Sequence, residues 1–434
     1  MYKKHSLSTK LSYILSFWAV ALLFSPLIKA QNNSTESPYT RFGIGSLSQS
    51  ASNTSRSLGN TGIALSSKGH INPKNPASYI AVDSQTFIMD FSSSIGFSWF
   101  AENNKSDSRL LGNFEYLSML FPVTKWMAVS AGVMPYSSVG YRFGSTQPIG
   151  TNAKQKYSVD YSGNGTINEF YLGTAFAPFK GFSIGVNASF LLGELKHIQT
   201  VSYNTSSSYN TLFFDALRLS GFKGSVGMQY TMPIAKSDKL TLGITYTPSL
   251  PLKSVAIHQE SVLQSGVPKN IISSDSVSSN SDYKVPMQLG AGVAYEVNQK
   301  LLFTADLQYN FWQGAILEKE TYKVQNQWQA GMGIAYTPDA SDRSFWKKIE
   351  YRGGFSAENS YLQLPTGKSL SGYYKGGISL GVGIPMVDRR SFLDLTLDYG
   401  HLMPLTKEWV HENYIRFTVG LRFNEGWFRK IKLD

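Results

Sequence analysis

Two stretches carry the spacing of a serine nucleophile. Gly181-Phe182-Ser183-Ile184-Gly185 and Gly377-Ile378-Ser379-Leu380-Gly381 both read G-x-S-x-G. That chemistry needs the serine on a sharp strand-to-helix turn with its hydroxyl exposed. Both serines instead sit in alternating runs with no helical pattern after them. Gly367-Lys368-Ser369 has the tail of a phosphate-binding loop, but neither the upstream glycine nor a following helix. Beyond the N-terminal leader, His70, His197, His258, His401 and His411 show no metal-ligand spacing. The 434 residues include no cysteine, which removes thiolate metal sites, disulfides and cysteine nucleophiles. The pattern points away from an enzyme and implies no metal and no cofactor.

The runs that hold those serines belong to a chain-wide alternation, clearest from Tyr283 to Trp312. Val285, Met287, Leu289, Ala291, Val293 and Tyr295 share one face of the first arm. Leu301, Phe303, Ala305, Leu307, Tyr309 and Phe311 share one face of the second, after a turn at Val297–Gln299. The opposite faces carry glycines and polar residues. Period two is a β-hairpin. Each arm is as long as a membrane-crossing strand, and an apolar face backed by a small or polar one is the signature of a transmembrane barrel. A soluble sandwich shares the period, but with shorter strands and charged outer faces. Past the leader no apolar run reaches the ~18 residues a spanning helix needs. Only a closed barrel then satisfies every backbone N–H and C=O in lipid.

Met1–Ala30 reads as a secretory signal, with Lys3, Lys4 and Lys10 before the apolar stretch Leu11–Leu27 and Ala30 at the cut. The alternative is a membrane anchor, disfavoured by Ser12, Ser16, Ser25 and Pro26 within the stretch. Four of the 40 basic residues lie in this leader and no acid does, which leaves 36 against 29, a net +7. That mild excess suits outer-membrane lipid and lipopolysaccharide as partners. The basic residues are scattered and match no nucleic-acid-binding module, so no nucleic-acid partner is implied.

Residues 31–84 alternate poorly and are rich in Ser, Asn, Thr and Gly, with prolines at 73 and 76. They are either a disordered leader or a compact plug packed inside the barrel. The plug is the better reading, because Ile63, Leu65, Tyr79 and Ile80 would otherwise be exposed. From residue 85 fourteen long strands can be parsed, joined alternately by short turns and longer polar loops, the outer-membrane arrangement. The expected division is therefore a signal over 1–30, a plug over 31–84, a barrel over 85–424 and a periplasmic tail over 425–434. The fold class is all-β, a transmembrane antiparallel β-barrel of about 14 strands with an N-terminal plug.

The final strand alternates cleanly: Ile415, Phe417, Val419, Leu421 and Phe423 face out, and Arg416, Thr418, Gly420 and Arg422 face in. The same inward parity collects Asp306, Glu350, Arg352, Asp394 and Asp398 with Arg416 and Arg422. These charges either tie the wall to a plug or simply face water. In the third strand Pro135 and Gly140 interrupt a long run. Proline donates no ladder hydrogen bond and glycine permits a bulge, so a local gap in the wall or a mere change of barrel shape is expected there.

Three short patterns resemble the outer-membrane long-chain fatty-acid transporter family, the FadL/TodX type, in its Bacteroidetes branch. Leu58-Gly59-Asn60-Thr61-Gly62-Ile63-Ala64 followed by Asn75-Pro76-Ala77 resembles that family's plug motif, and Ser78 stands where a glycine is usual. Met134-Pro135-Tyr136 with Gly140-Tyr141 resembles its third strand, and Val285–Trp312 its hairpin. The resemblance implies diffusion of a small hydrophobic, fatty-acid-like molecule through a plugged barrel with a lateral exit at the kink. Phe114, Tyr116, Met134, Tyr136 and Tyr141 would line that path. A second possibility is a structural or accessory barrel of an outer-membrane secretion or assembly complex, with other outer-membrane proteins as partners. Ser78 and the weakly hydrophobic loops favour it.

Overall fold

The computed structural model describes residues 35–426 except 49–51, 84–85, 103–104, 150–151, 205–208, 265–266, 367–368, 388–389 and 407–408. The expected signal and all but two residues of the expected tail lie outside the described residues. A two-residue strand, β1 (Ser46–Leu47), precedes the wall. The wall begins with β2 (Thr86–Glu102), β3 (Lys105–Pro122), β4 (Met127–Ile149), β5 (Asn152–Phe179), β6 (Phe182–Tyr203) and β7 (Asn210–Pro233). It continues through β8 (Lys239–Thr247), β9 (Leu250–Gln264), β10 (Val267–Val285), β11 (Met287–Val297) and β12 (Leu301–Phe311). A short β13 (Lys323–Val324) lies in a loop before β14 (Gln327–Tyr336) and β15 (Glu350–Asn359). Two more loop strands, β16 (Leu362–Thr366) and β17 (Ser369–Ser371), precede β18 (Tyr373–Pro385), β19 (Phe392–Pro404) and β20 (His411–Gly426).

These make a closed antiparallel barrel of fourteen strands. β8 and β9 are two halves of the seventh strand, and β10 and β11 two halves of the eighth, each broken at a proline, Pro248 and Pro286. β2 pairs with β20 and closes the ring. The ladder does not stop at Phe423 as expected. Asn424, Glu425 and Gly426 pair with Ile88, Phe87 and Thr86, because β2 starts low enough to offer them partners. The strand therefore runs to Gly426, two residues into the expected tail.

Outward positions such as Leu289, Leu307, Met332, Leu380 and Phe417 are exposed apolar residues, while Thr304, Asp306, Thr396 and Thr418 on the alternate faces are buried inside. With a barrel, an apolar exterior and a polar lumen together place the protein in a bacterial outer membrane. The two flanks differ in height. β5 runs 28 residues and β14 only 10.

The segment before β2 fills the lumen. Toward the long-loop end Tyr39 and Ile44 pack with Trp312, Tyr322, Tyr361 and Leu402. The loops 312–326 and 360–372 thus close over the lumen with apolar side chains that their composition understates. Toward the short-turn end Ile71, Tyr79 and Val82 pack with Ile88, Leu120 and Ala175.

Candidate functional site

The lumen holds one continuous piece of chemistry, the seat of the plug. The helix Asn53–Ser57 begins at Ser52, whose side chain accepts from the Ser55 N–H, and every one of its residues is buried. Farther on, Asn75 caps the 3₁₀ turn Pro76–Ala81, accepting from Ala77 N at 3.0 Å. Its Nδ2 donates to the Ile63 carbonyl at 2.6 Å and to the Met228 carbonyl of the wall at 3.3 Å. The Asn-Pro-Ala motif therefore makes a turn and fastens it. Ser78 has a partner of its own: its hydroxyl donates to the Asn72 carbonyl at 3.1 Å.

Gly59, Asn60 and Gly62 lie at the tightest approach. Gly59 has φ +68°, and a Cβ there would meet the backbone of Met332 and Phe355. Asn60 also has positive φ, and its carbonyl accepts from Lys74 Nζ at 2.6 Å. Inward wall glycines meet plug backbone directly, Gly243 at Ile63, Gly333 at Leu58 and Gly185 at Pro76, while Gly381 meets the Ser57 side chain. Gly185 and Gly381 are the closing glycines of the two G-x-S-x-G stretches. They make room for the plug, and no nucleophile is built there: Ser379 Oγ donates to Asp398 at 2.7 Å within a strand.

The inward charges meet the plug or one another. Asp306 Oδ2 accepts from the N–H groups of Gly62 and Ile63 at 2.6 and 2.9 Å, with Lys74 Nζ at 3.4 Å. Arg352 reaches Glu350 at 3.3 Å and pairs with Asp394, and it donates to Thr54 Oγ1 at 3.3 Å. Arg422 lies 3.4 Å from Asp394 and contacts His70 of the plug. Arg416 bonds Asp398 at 3.4 Å. Sequence parity missed the other half of this network. Arg56 of the plug pairs with Glu115 at 2.6 Å, and Glu169 pairs with Lys223 at 2.8 Å. A charge inside an apolar run is the only signal that Glu115 gave. A bulge hides it: Ser92 pairs with Tyr116 but Ser93 with Phe114, so Glu115 and Tyr116 both turn inward.

The wall has a seam beside that bulge. β3 and β4 pair only from Pro122↔Ala128 to Leu117↔Val133. Beyond it Pro135 sits at a register shift against β5, and residues 134–141 are all buried. The free edge of β4 finds its partners in the plug. Ser46 and Leu47 pair with Ser138 and Ser137, Ser48 N donates to the Tyr136 carbonyl at 2.9 Å, and Thr40 Oγ1 donates to the Gly140 carbonyl at 2.9 Å. Gly45, at φ +83°, lies so close to Ser138 that a Cβ would collide with its carbonyl.

Behind the seam lies a void of about 110 Å³ lined by Arg56, Glu115, Met134, Pro135, Glu358, Lys375 and Arg416. Another of about 90 Å³ touches Met134, Tyr136, Glu169 and Lys223. Tyr116 is buried and donates to Asp90 at 3.0 Å, and Tyr141 bonds His197 at 2.8 Å in a separate cavity nearer the mouth. Phe114 faces outward, 49 % exposed. The five expected path residues therefore do not share one cavity.

Three comparisons bear on this geometry. The sequence model of a family described as BamG matches residues 13–434. No curated protein matches the sequence. Among solved structures, the Pseudomonas putida toluene transporter TodX is 13 % identical, covering 88 % of this chain and 100 % of its own, with TM-score 0.56. The Ralstonia pickettii toluene transporter TbuX is 15 % identical over 86 % and 98 %, at 0.55, and a Pseudomonas aeruginosa FadL homologue is 12 % identical over 88 % and 99 %, at 0.55. The fold is thus the FadL/TodX type, while the matching family has a different description.

Proposed function

This chain belongs to the BamG family, and from that premise we propose that it is a plugged barrel acting as an accessory subunit of an outer-membrane secretion or assembly complex. One observation carries the reading. The void behind the seam is lined by the Arg56–Glu115 pair with Lys375, Glu358 and Arg416. A hydrophobic molecule entering there would strip hydration and partners from charges and gain little apolar contact. Plug backbone also lies directly against the wall at Gly185, Gly243 and Gly333. Purification of the full chain from native membranes in mild detergent should bring down other outer-membrane proteins in fixed ratio. Recovery of the barrel alone overturns the reading.

Passage of a small hydrophobic molecule through the seam is the second reading. The missing β3–β4 pairs favour it, as does the likeness of the fold to toluene transporters. In it Met134 and Tyr136, with Phe114 outside and Tyr116 and Tyr141 within, mark the way past Pro135 and Gly140. Deleting the gene and following toluene uptake tests it: a lost uptake rate favours this reading over the first.

A further inference from the structure

The lipid-facing wall of the short flank is grooved, and the ladder registers show why. Ala330, Ala357 and Gly376 stand side by side on β14, β15 and β18, and the row continues to His401 on β19 and Asn413 on β20. One outward step below runs a row of bulky residues, Met332, Phe355, Ile378 and Tyr399, joined by the same registers. One step above, toward the long loops, Tyr374 pairs with Met403, and the Trp328 ring lies 6.3 Å from that of Tyr374. Small residues between two bulky rows leave an apolar trough of about 400 Å³. Three strand spacings make it about 14 Å long.

We propose that this trough binds one acyl chain of an outer-leaflet glycolipid, lipopolysaccharide. Its direction is the first argument. Barrel strands tilt about 35–45° from the membrane normal, so a trough crossing them also runs obliquely, and a linear chain descending from the headgroups can follow it. Its height is the second. Trp328 and Tyr374 stand at the long-loop ends of their strands, at the aromatic belt of the outer leaflet. Its surroundings are the third: Phe355, Ile378, Leu380 and Leu397 in the rows below it are exposed apolar residues, so hydrocarbon lies along its lower side. Its end is the fourth. His401 lines the trough, and its Nδ1 lies 2.8 Å from Asn413 Oδ1. Since that oxygen accepts, Nδ1 carries the hydrogen and Nε2 is left as an acceptor, fit for a sugar hydroxyl or an acyl amide N–H. His411 stacks on the same ring at 6.2 Å.

Gly376 offers the test, because a Cβ there meets nothing nearer than the Ser356 carbonyl at 4.0 Å. Gly376→Leu fills the trough without a clash, and Ala357→Leu fills it from the next strand. Ala188→Leu, on the outer face of β6, is the control. The full chain, delipidated in mild detergent, is titrated with purified rough lipopolysaccharide or with phosphatidylethanolamine and read by native mass spectrometry. The wild type and Ala188→Leu should retain one lipopolysaccharide, and both trough variants should lose it at least fivefold. Equal occupancy in all four proteins, or equal retention of phosphatidylethanolamine, overturns the proposal. So does a neighbouring barrel protein, instead of lipid, that leaves with the trough substitutions in native membranes.

Discussion

Between β11 and β15 the ladders run without a register shift. Between β3 and β4 the pairing stops at Leu117↔Val133, and a stretch of plug takes over. Both solutions answer the same demand, that backbone groups at membrane depth be bonded within the protein. The regular flank answers it with strands alone. The seam answers it with Thr40, Ser46, Leu47 and Ser48, which are covalently part of the plug. On one side the plug is therefore a guest of the wall, and on the other it is a piece of the wall.

Five substitutions probe that difference. On the regular side, Asp306→Ala removes the acceptor of two buried N–H groups and the carboxylate beside Lys74. Its cost should be about 2–4 kcal/mol, seen as a lower urea midpoint and as protease cutting near Gly62, with wall pairing kept. An intact plug at the wild-type midpoint would mean that Asp306 merely faces water. Leu307→Arg, on the lipid face of the same strand, should cost about 2–4 kcal/mol, and Phe114→Arg, beside the seam, less than that. Equal costs would mean that the seam is as lipid-sealed as the ladder. Gly45→Ala should cost about 1–3 kcal/mol through its positive φ and the Ser138 collision. Thiol labelling of Leu47→Cys should rise with it. Pro135→Val should change stability by no more than about 1 kcal/mol, because β3 has already left β4 there. A large gain would show that the proline itself holds the seam open.

Much of the wall was legible because period two is a local property. The parsed strands match the fourteen of the barrel one for one, and the parity of the last strand put Arg416 and Arg422 inside. The breaks at Pro248 and Pro286 were legible as residues, but were read through as continuous strands, since a single proline leaves the alternation on either side intact. The bulge at Glu115 was invisible for a related reason. It inverts parity within one strand, and the partner that fixes it, Arg56, is 59 residues away. Ion pairs of the plug with the wall depend on which strand ends up beside which loop, and no spacing in the sequence encodes that. The trough likewise needs four strands in register before its small residues line up. Phe114 and Tyr116 looked like neighbours on one face, and the bulge sent them to opposite sides of the membrane wall.

The plug is made first and seated last. Its residues precede the whole wall in the chain, yet Gly185, Gly243, Gly333 and Gly381 that receive it are spread across most of the remaining sequence. Nothing can receive residues 52–83 until nearly every strand exists, and once β2 meets β20 the ring is shut around them. Late, long-range closure of this kind is slow to form. It is also slow to undo, because the stopper cannot leave its seat until its pairing with β4 and its bonds to Asp306 and the Met228 carbonyl have come apart together. The persistence of the closed state is then a matter of rate rather than equilibrium. Unfolding and refolding followed over the same denaturant range should trace two different curves, and the distance between them measures how firmly the ring holds what it closed upon.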